Sequence, residues 1–92
     1  MIRSFKCPET KSLANGDRVR RFASIAVVAR RKIRQLEIST RLDDLRIPPG
    51  NRLEALKGDR SGQYSIRINE QWRLCFRWSA AGAENVEIVD CH

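Results

Sequence analysis

The stretch Tyr64–Trp78, YSIRINEQWRLCFRW, alternates apolar and polar residues in two runs with a break between them. Tyr64, Ile66 and Ile68 fall on one side of a pleated strand, and Ser65 and Arg67 on the other. Trp72, Leu74, Phe76 and Trp78 repeat the pattern, with Arg73, Cys75 and Arg77 on the opposite side. Two runs of this kind predict an antiparallel hairpin with one face against a core. Directly opposed residues share a face, so Ile68 pairs with Trp72 rather than with Gln71. The loop is then Asn69-Glu70-Gln71, and Asn69 or a neighbour is expected to take the left-handed position of its turn.

The same register sets Arg67 opposite Arg73, with Arg77 further along that face. Like charges directly opposed on a sheet are destabilising. Either both side chains extend into water at a cost of a few tenths of a kcal/mol, roughly that of an exposed pair, or an anion sits between them. The basic loop with Lys57 and Arg60 leading into the first strand favours the anion, and a phosphodiester is the obvious one.

Upstream, Ile2 and Phe5 suggest an opening strand over residues 1–6. In PETKSLANG, Pro8 and Thr10 start a short helix that Asn15-Gly16 stops. Phe22, Ile25, Val28, Ala29, Ile33 and Leu36 recur at helical spacing and predict a helix from about Val19 to Ile38. Arg30, Arg31, Arg34 and Arg41 lie on or near its other side, either as a solvated face or as a surface for ribosomal or messenger RNA. Ser39 or Thr40 suits the cap of a short turn at 41–45. Pro48-Pro49-Gly50 then forces an extended stretch and a turn. NRLEALKG resumes as a short strand, and KGDRSGQ is a glycine-bearing loop. Downstream, SAAGAE reads as a turn and NVEIVD as the last strand, with Val86 and Ile88 in phase.

The chain of 92 residues suits one domain, residues 1–92, and its net charge is +7. Such a balance points to polyanion partners, and arginine, far commoner here than lysine, grips phosphate bidentately. No run approaches a membrane span and no signal peptide opens the chain, so a cytoplasmic protein with no membrane partner is expected. Cys7, Cys75 and Cys91 have no metal-ligand spacing, and His92, the one histidine, adds at most one ligand beside Cys91. No metal or cofactor is expected. A Cys91–His92 nucleophilic pair is also disfavoured, because neighbours on a strand point to opposite faces.

From Leu56 to Arg73 the chain reads L-K-G-D-R-x-G-x-Y-S-I-R-x-N-x-Q-W-R. With the opening MIRSF and the terminal VEIVDCH, this closely resembles the HigB branch of the RelE/ParE toxins, GraT-like proteins included. The resemblance implies an α+β, RelE-like fold, with N-terminal helices packed on one face of a small, mainly antiparallel sheet. It implies the toxin of a type II toxin–antitoxin system, a ribosome-dependent endoribonuclease that cleaves messenger RNA in the A site. The implied partners are the 70S ribosome, messenger RNA and a HigA-like helix-turn-helix antitoxin, in a heterotetramer that reaches operator DNA only through the antitoxin.

The family's key positions match Lys57, Arg73, Asp90 and His92. Arg73 is assigned to transition-state stabilisation, Lys57 to activating the 2′-hydroxyl, and His92 to protonating the leaving oxygen, with Asp90 favouring its charged form. Arg60, Arg67, Gln71, Arg77, Glu54 and Cys91 are assigned to the RNA-binding surface. Cys91 stands where many relatives carry an aromatic residue, typically Tyr, and Glu54 where some carry His. These departures put in doubt a role for a phenol or a second histidine, and a working nuclease, open to being weak or conditional, is expected. Two other readings compete: a ParE-like gyrase poison, which the set Lys57, Arg73 and His92 argues against, and a non-catalytic basic module that binds RNA or co-represses with its antitoxin.

Overall fold

The sheet has four antiparallel strands in sequence order: β1 (Glu54–Ala55), β2 (Gln63–Arg67), β3 (Trp72–Ser79) and β4 (Gly82–Asp90). The structure is a computed structural model, and it describes residues 1–90. The β2–β3 register is the one that alternation demands: Tyr64 lies opposite Phe76, Ile66 opposite Leu74 and Arg67 opposite Arg73. Ile66, Leu74 and Phe76 are fully buried on the inner face, joined by Ala83, Val86 and Ile88 of β4. Ala83 and Val86 are three residues apart, an odd step for one face. A bulge resolves it: the β3–β4 register shifts between Cys75 and Arg77, and Asn85 takes a left-handed φ of 54°.

The last turn is shorter than SAAGAE. Only Ala80 and Ala81 lie outside the strands, and β4 resumes at Gly82. Gly82 has a φ of 130°, and a Cβ there would collide with the Met1 carbonyl oxygen. The opening segment therefore lies against β4, but not as a continuous strand. Ile2 and Phe5 form isolated parallel bridges to Ala83 and Val86. Together with Ser4 Oγ, which accepts the Asn85 N–H at 2.9 Å, they cover part of an edge that would otherwise be open.

Two helices pack on the inner face: α1 (Pro8–Ala14) and α2 (Ala26–Ile38). α1 begins and ends as the sequence indicates, with Pro8 in its first turn and Gly16 at φ 94° beyond its end. The single helix expected from Val19 to Ile38 is instead a 3-10 turn, Arg20–Ile25, followed by α2. Phe22 and Ile25 are three apart, a step that suits a 3-10 turn and an α-helix alike, so apolar spacing did not separate them. Phe22, Ile25, Ala29, Ile33 and Leu36 are buried as the stripe requires, while Val28 is only half-buried. Phe22 meets Trp72 edge-on at 5.5 Å, which joins the turn to β3. Of the arginines on the helix's other side, Arg30 is tied down. Its Nε donates to Leu13 O (3.1 Å) and its Nη2 to Asp17 O (2.9 Å), closing the end of α1.

The connector to β1 is held by side chains. Asp44 accepts the N–H groups of Thr40 and Arg41, each at 3.0 Å, over a 3-10 turn at Leu42–Arg46. Those bonds hold its carboxyl below the ordinary aspartate range. Ser39 and Thr40 do not cap that turn: the Ser39 hydroxyl donates back to Gln35 O at 2.7 Å. Asn51 is fully buried, donating to Gln35 Oε1 and Leu45 O and accepting from Lys32 Nζ. Burial, with Arg31 beside it, pulls the Lys32 ammonium below the ordinary lysine range.

Two measurements check this frame. Thr10 is fully buried in α1, and its Oγ1 accepts the Ile88 N–H of β4 at 3.1 Å. Thr10→Val orphans that donor and should cost about 1–3 kcal/mol in urea unfolding, with Thr10→Ser close to wild type. The Asp44 carboxylate is favoured in the folded state, so its stabilisation is present above the unfolded pKa and lost as pH falls through the folded one. The melting-temperature gap between wild type and Asp44→Ala should be full at about pH 6 and narrow toward about pH 2.

Candidate functional site

The outer face of the sheet carries the polar half of the alternation. Ser65, Arg67, Arg73 and Cys75 lie there, with Glu54 opposite Ser65 on β1, and Val89 and Glu87 opposite Arg73 and Cys75 on β4. Arg67 and Arg73 are directly opposed, yet each guanidinium has its own neighbours. Arg67 Nη2 lies 3.9 Å from Glu70 Oε1. Arg73 Nε donates to Ser65 Oγ at 2.9 Å, its Nη2 donates to Arg52 O at 3.0 Å, and Glu54 Oε1 lies 3.6 Å from Nη2. Each guanidinium of the opposed pair thus has a carboxylate within 4 Å, Arg67 from Glu70 and Arg73 from Glu54. Arg52, Arg67, Asn69, Glu70 and Arg73 line a cleft of about 210 Å³.

The turn that sets this register has no left-handed residue: among the described residues, the non-glycine ones with positive φ are Arg52 and Asn85. Asn69 acts through its side chain instead. Its Oδ1 accepts the N–H groups of Gln71 and Trp72, each at 2.8 Å, an Asx-type closure. Ile68 and Asn69 in turn donate to Trp72 O at 2.9 and 3.2 Å.

The remaining site candidates lie toward the two ends of the sheet, and Asp90, directly opposite Trp72, falls on the inner-face side and not among the arginines. Arg60 donates to Gln63 Oε1 (3.2 Å) and lies 3.3 Å from Glu87 Oε2, a carboxylate shared with Lys6 at 3.6 Å. Arg77 is exposed opposite Gln63, and its guanidinium lies over Gly62, where an added Cβ would sit 2.8 Å from Nη1. Lys57 is exposed and precedes the 3-10 turn Gly58–Arg60 that leads into β2. At the other end, Gln71 Nε2 donates to Asp90 Oδ2 at 3.1 Å, and Asp90 lies opposite Trp72. The Gln63 and Arg67 levels are four residues apart, about 13 Å of strand. The fold thus groups Arg67, Arg73 and Glu54 tightly. It leaves Lys57, Arg60 and Arg77 toward one end and Gln71 and Asp90 at the other. Cys91 and His92 lie outside the described residues. Among the described residues no group of His, Cys, Asp or Glu is arranged to hold a metal ion.

Three contributors were missed in the sequence. Arg52 acts through its main-chain carbonyl, which side-chain chemistry does not advertise. Ser65 was read only as a polar alternation position. Glu87 has a sequence signal in hindsight: a carboxylate on a face otherwise rich in arginine.

A sheet with helices on one face and arginines across the other is the frame of a small RelE-like toxin, and comparison with known proteins agrees. The model of the HigB-like toxin family, described as the RelE-like toxin of type II toxin–antitoxin system HigB, matches residues 10–92. The chain belongs to this family. It is 52% identical over 48 residues to Toxin HigB-1 of Vibrio cholerae serotype O1, a stretch covering 52% of this chain and 50% of that protein. It is 37% identical over 59 residues to an uncharacterized protein of Haemophilus influenzae, covering 64% of this chain and 58% of that protein. The chain thus spans about half the length of the curated relatives it matches. Among the described residues, no helix is long and apolar enough to cross a membrane.

The Asn69 closure is directly testable. Asn69→Ala removes the acceptor for two N–H groups and should lower stability by about 1 kcal/mol, as loss of a comparable side-chain cap does. Asn69→Asp, which keeps the acceptor, should lie within a few tenths of wild type by urea unfolding.

Proposed function

We infer that this chain is the toxin of a type II pair and acts as a metal-independent endoribonuclease on messenger RNA in the ribosomal A site. Membership in the HigB-like family supports the toxin assignment. The observation that carries the chemistry is Arg73: a guanidinium whose side chain is only 16% exposed, on the rim of a cleft it shares with Arg67.

The reaction needs little from the protein beyond placement and charge. The messenger's 2′-oxygen attacks the adjacent phosphorus, its proton passes to a base, and the bond from phosphorus to the 5′-oxygen breaks. A proton goes to that oxygen, leaving a 2′,3′-cyclic phosphate. Charge accumulates on the non-bridging oxygens, where a planar fork suits two of them at once. Arg73 takes that role. Lys57 favours the ionised 2′-oxygen or accepts its proton. His92 is the proton donor, with Asp90 supporting its charged form. Arg67, Arg60, Arg77 and Gln71 hold the strand on either side, beside Glu54 and Cys91. The antitoxin is a HigA-like helix-turn-helix protein in a heterotetramer. It contacts operator DNA on the toxin's behalf, and the site of action is the cytoplasm.

Mapping messenger 5′ ends after brief expression tests this. Wild type should produce new ends at A-site codons, and Arg73→Ala should reduce them by about 10²–10³-fold, the loss typical of one such donor. Absence of A-site cleavage by the purified protein on translating ribosomes, with growth unaffected on expression, would sink the reading. Inhibition of gyrase in a parallel assay would redirect it.

A further inference from the structure

Ser65 is polar, lies on the outer face of β2 and is fully buried there. A buried hydroxyl needs a partner, and its partner is the Nε–H of Arg73 at 2.9 Å. A second post stands on a different segment. Arg52, with a left-handed backbone (φ 48°, ψ 56°), accepts Arg73 Nη2 on its carbonyl at 3.0 Å. The two bonds use Nε and one Nη2 hydrogen and leave Nη1 with the other. Both acceptors are neutral, so they orient the fork without cancelling its charge.

We propose that Ser65 is the positioning residue for Arg73: its buried hydroxyl, with the Arg52 carbonyl, sets the guanidinium so that the Nη1–Nη2 edge meets a phosphate. The proposal rests on the reading of Arg73 as the phosphate-binding group. Glu54 is the competing acceptor, 3.6 Å from Nη2 with its side chain 56% exposed. Solvent screens that pull. With Ser65 in place the fork has two fixed bonds against it, and without Ser65 it is free to turn toward the carboxylate. A misplacement of about 1 Å costs on the order of 10²-fold in rate.

The test combines single-turnover cleavage on programmed ribosomes with the side-chain ¹⁵N–¹H spectrum of arginine in the full chain, for wild type, Ser65→Ala and Ser65→Thr. In wild type and Ser65→Thr the Arg73 Nε–H should appear as a distinct, slowly exchanging signal, and in Ser65→Ala it should be averaged away. The saturating rate of Ser65→Ala should fall by about 10- to 100-fold. Its half-saturating ribosome concentration should stay within about twofold. Ser65→Thr should restore most of the rate. A wild-type rate in Ser65→Ala, a rate loss matched by a proportionate loss of thermal stability, or an Arg73 Nε–H as mobile in wild type as in Ser65→Ala overturns the proposal. If wild type cleaves no messenger, it is the functional reading that fails, and the spectrum alone then decides whether Ser65 holds Arg73.

Discussion

Everything else in the molecule depends on the register between β2 and β3. With Ile66 opposite Leu74 and Arg67 opposite Arg73, the apolar residues of both strands face the helices and the arginines face outward. A slip of one residue would exchange those faces, because side chains alternate with a period of two. It would carry the Trp72, Leu74 and Phe76 side chains into water, about 1.5–3 kcal/mol each for large apolar groups, and drive arginines into the core. The two short bonds to Asn69 Oδ1 pin this register at the turn, and the Phe22–Trp72 contact pins it from the helical side. The site is thus a consequence of how the core closes.

The register also imposes the opposition of Arg67 and Arg73, and its cost is managed on the protein's own terms. Arg67 has Glu70 nearby, and Arg73 is drawn across the face to Ser65, Arg52 and Glu54. What remains is a competition. The ion pair between Arg73 and a half-exposed Glu54 at 3.6 Å belongs to the class worth about 0–1 kcal/mol. A phosphate held bidentately makes charge-assisted bonds roughly twice as strong as neutral ones. On the proposed reading, a phosphodiester in the cleft would displace Glu54 at small cost, whereas the bonds to Ser65 and the Arg52 carbonyl need not break.

Period-two alternation and punctuation were the legible parts of the fold. Tyr64–Trp78 specified both strands and their pairing, and Pro8 with Asn15-Gly16 bounded α1 correctly. Three of the features that escaped did so for separate physical reasons. A three-residue apolar step is common to 3-10 and α geometry, so Val19–Ile38 read as one helix. An asparagine serves a turn either by adopting αL or by accepting N–H groups, and composition does not choose between them. The opening segment's bridges to β4 depend on Gly82 tolerating the approach of Met1, a long-range fact with no local signature. At the candidate site, alternation placed Arg67 and Arg73 opposite one another on the outer face. The Arg52 carbonyl, exposed by a left-handed backbone after Pro48-Pro49-Gly50, was not legible.

Alternation assigns apolar side chains to the inner face and polar ones to the outer, and most residues obey. Ser65 and Cys75 do not: both are on the outer face and both are buried. An outer face meant only for solvent would have no reason to bury a hydroxyl, since leaving it unpaired costs about 1–3 kcal/mol. Its burial is compensated by the Nε–H of Arg73, the guanidinium proposed above to meet the phosphate. On the proposed reading, the demands of folding and of chemistry at Ser65 are met by a single bond. That bond is where a sheet built for closure becomes a surface able to present a guanidinium in one orientation.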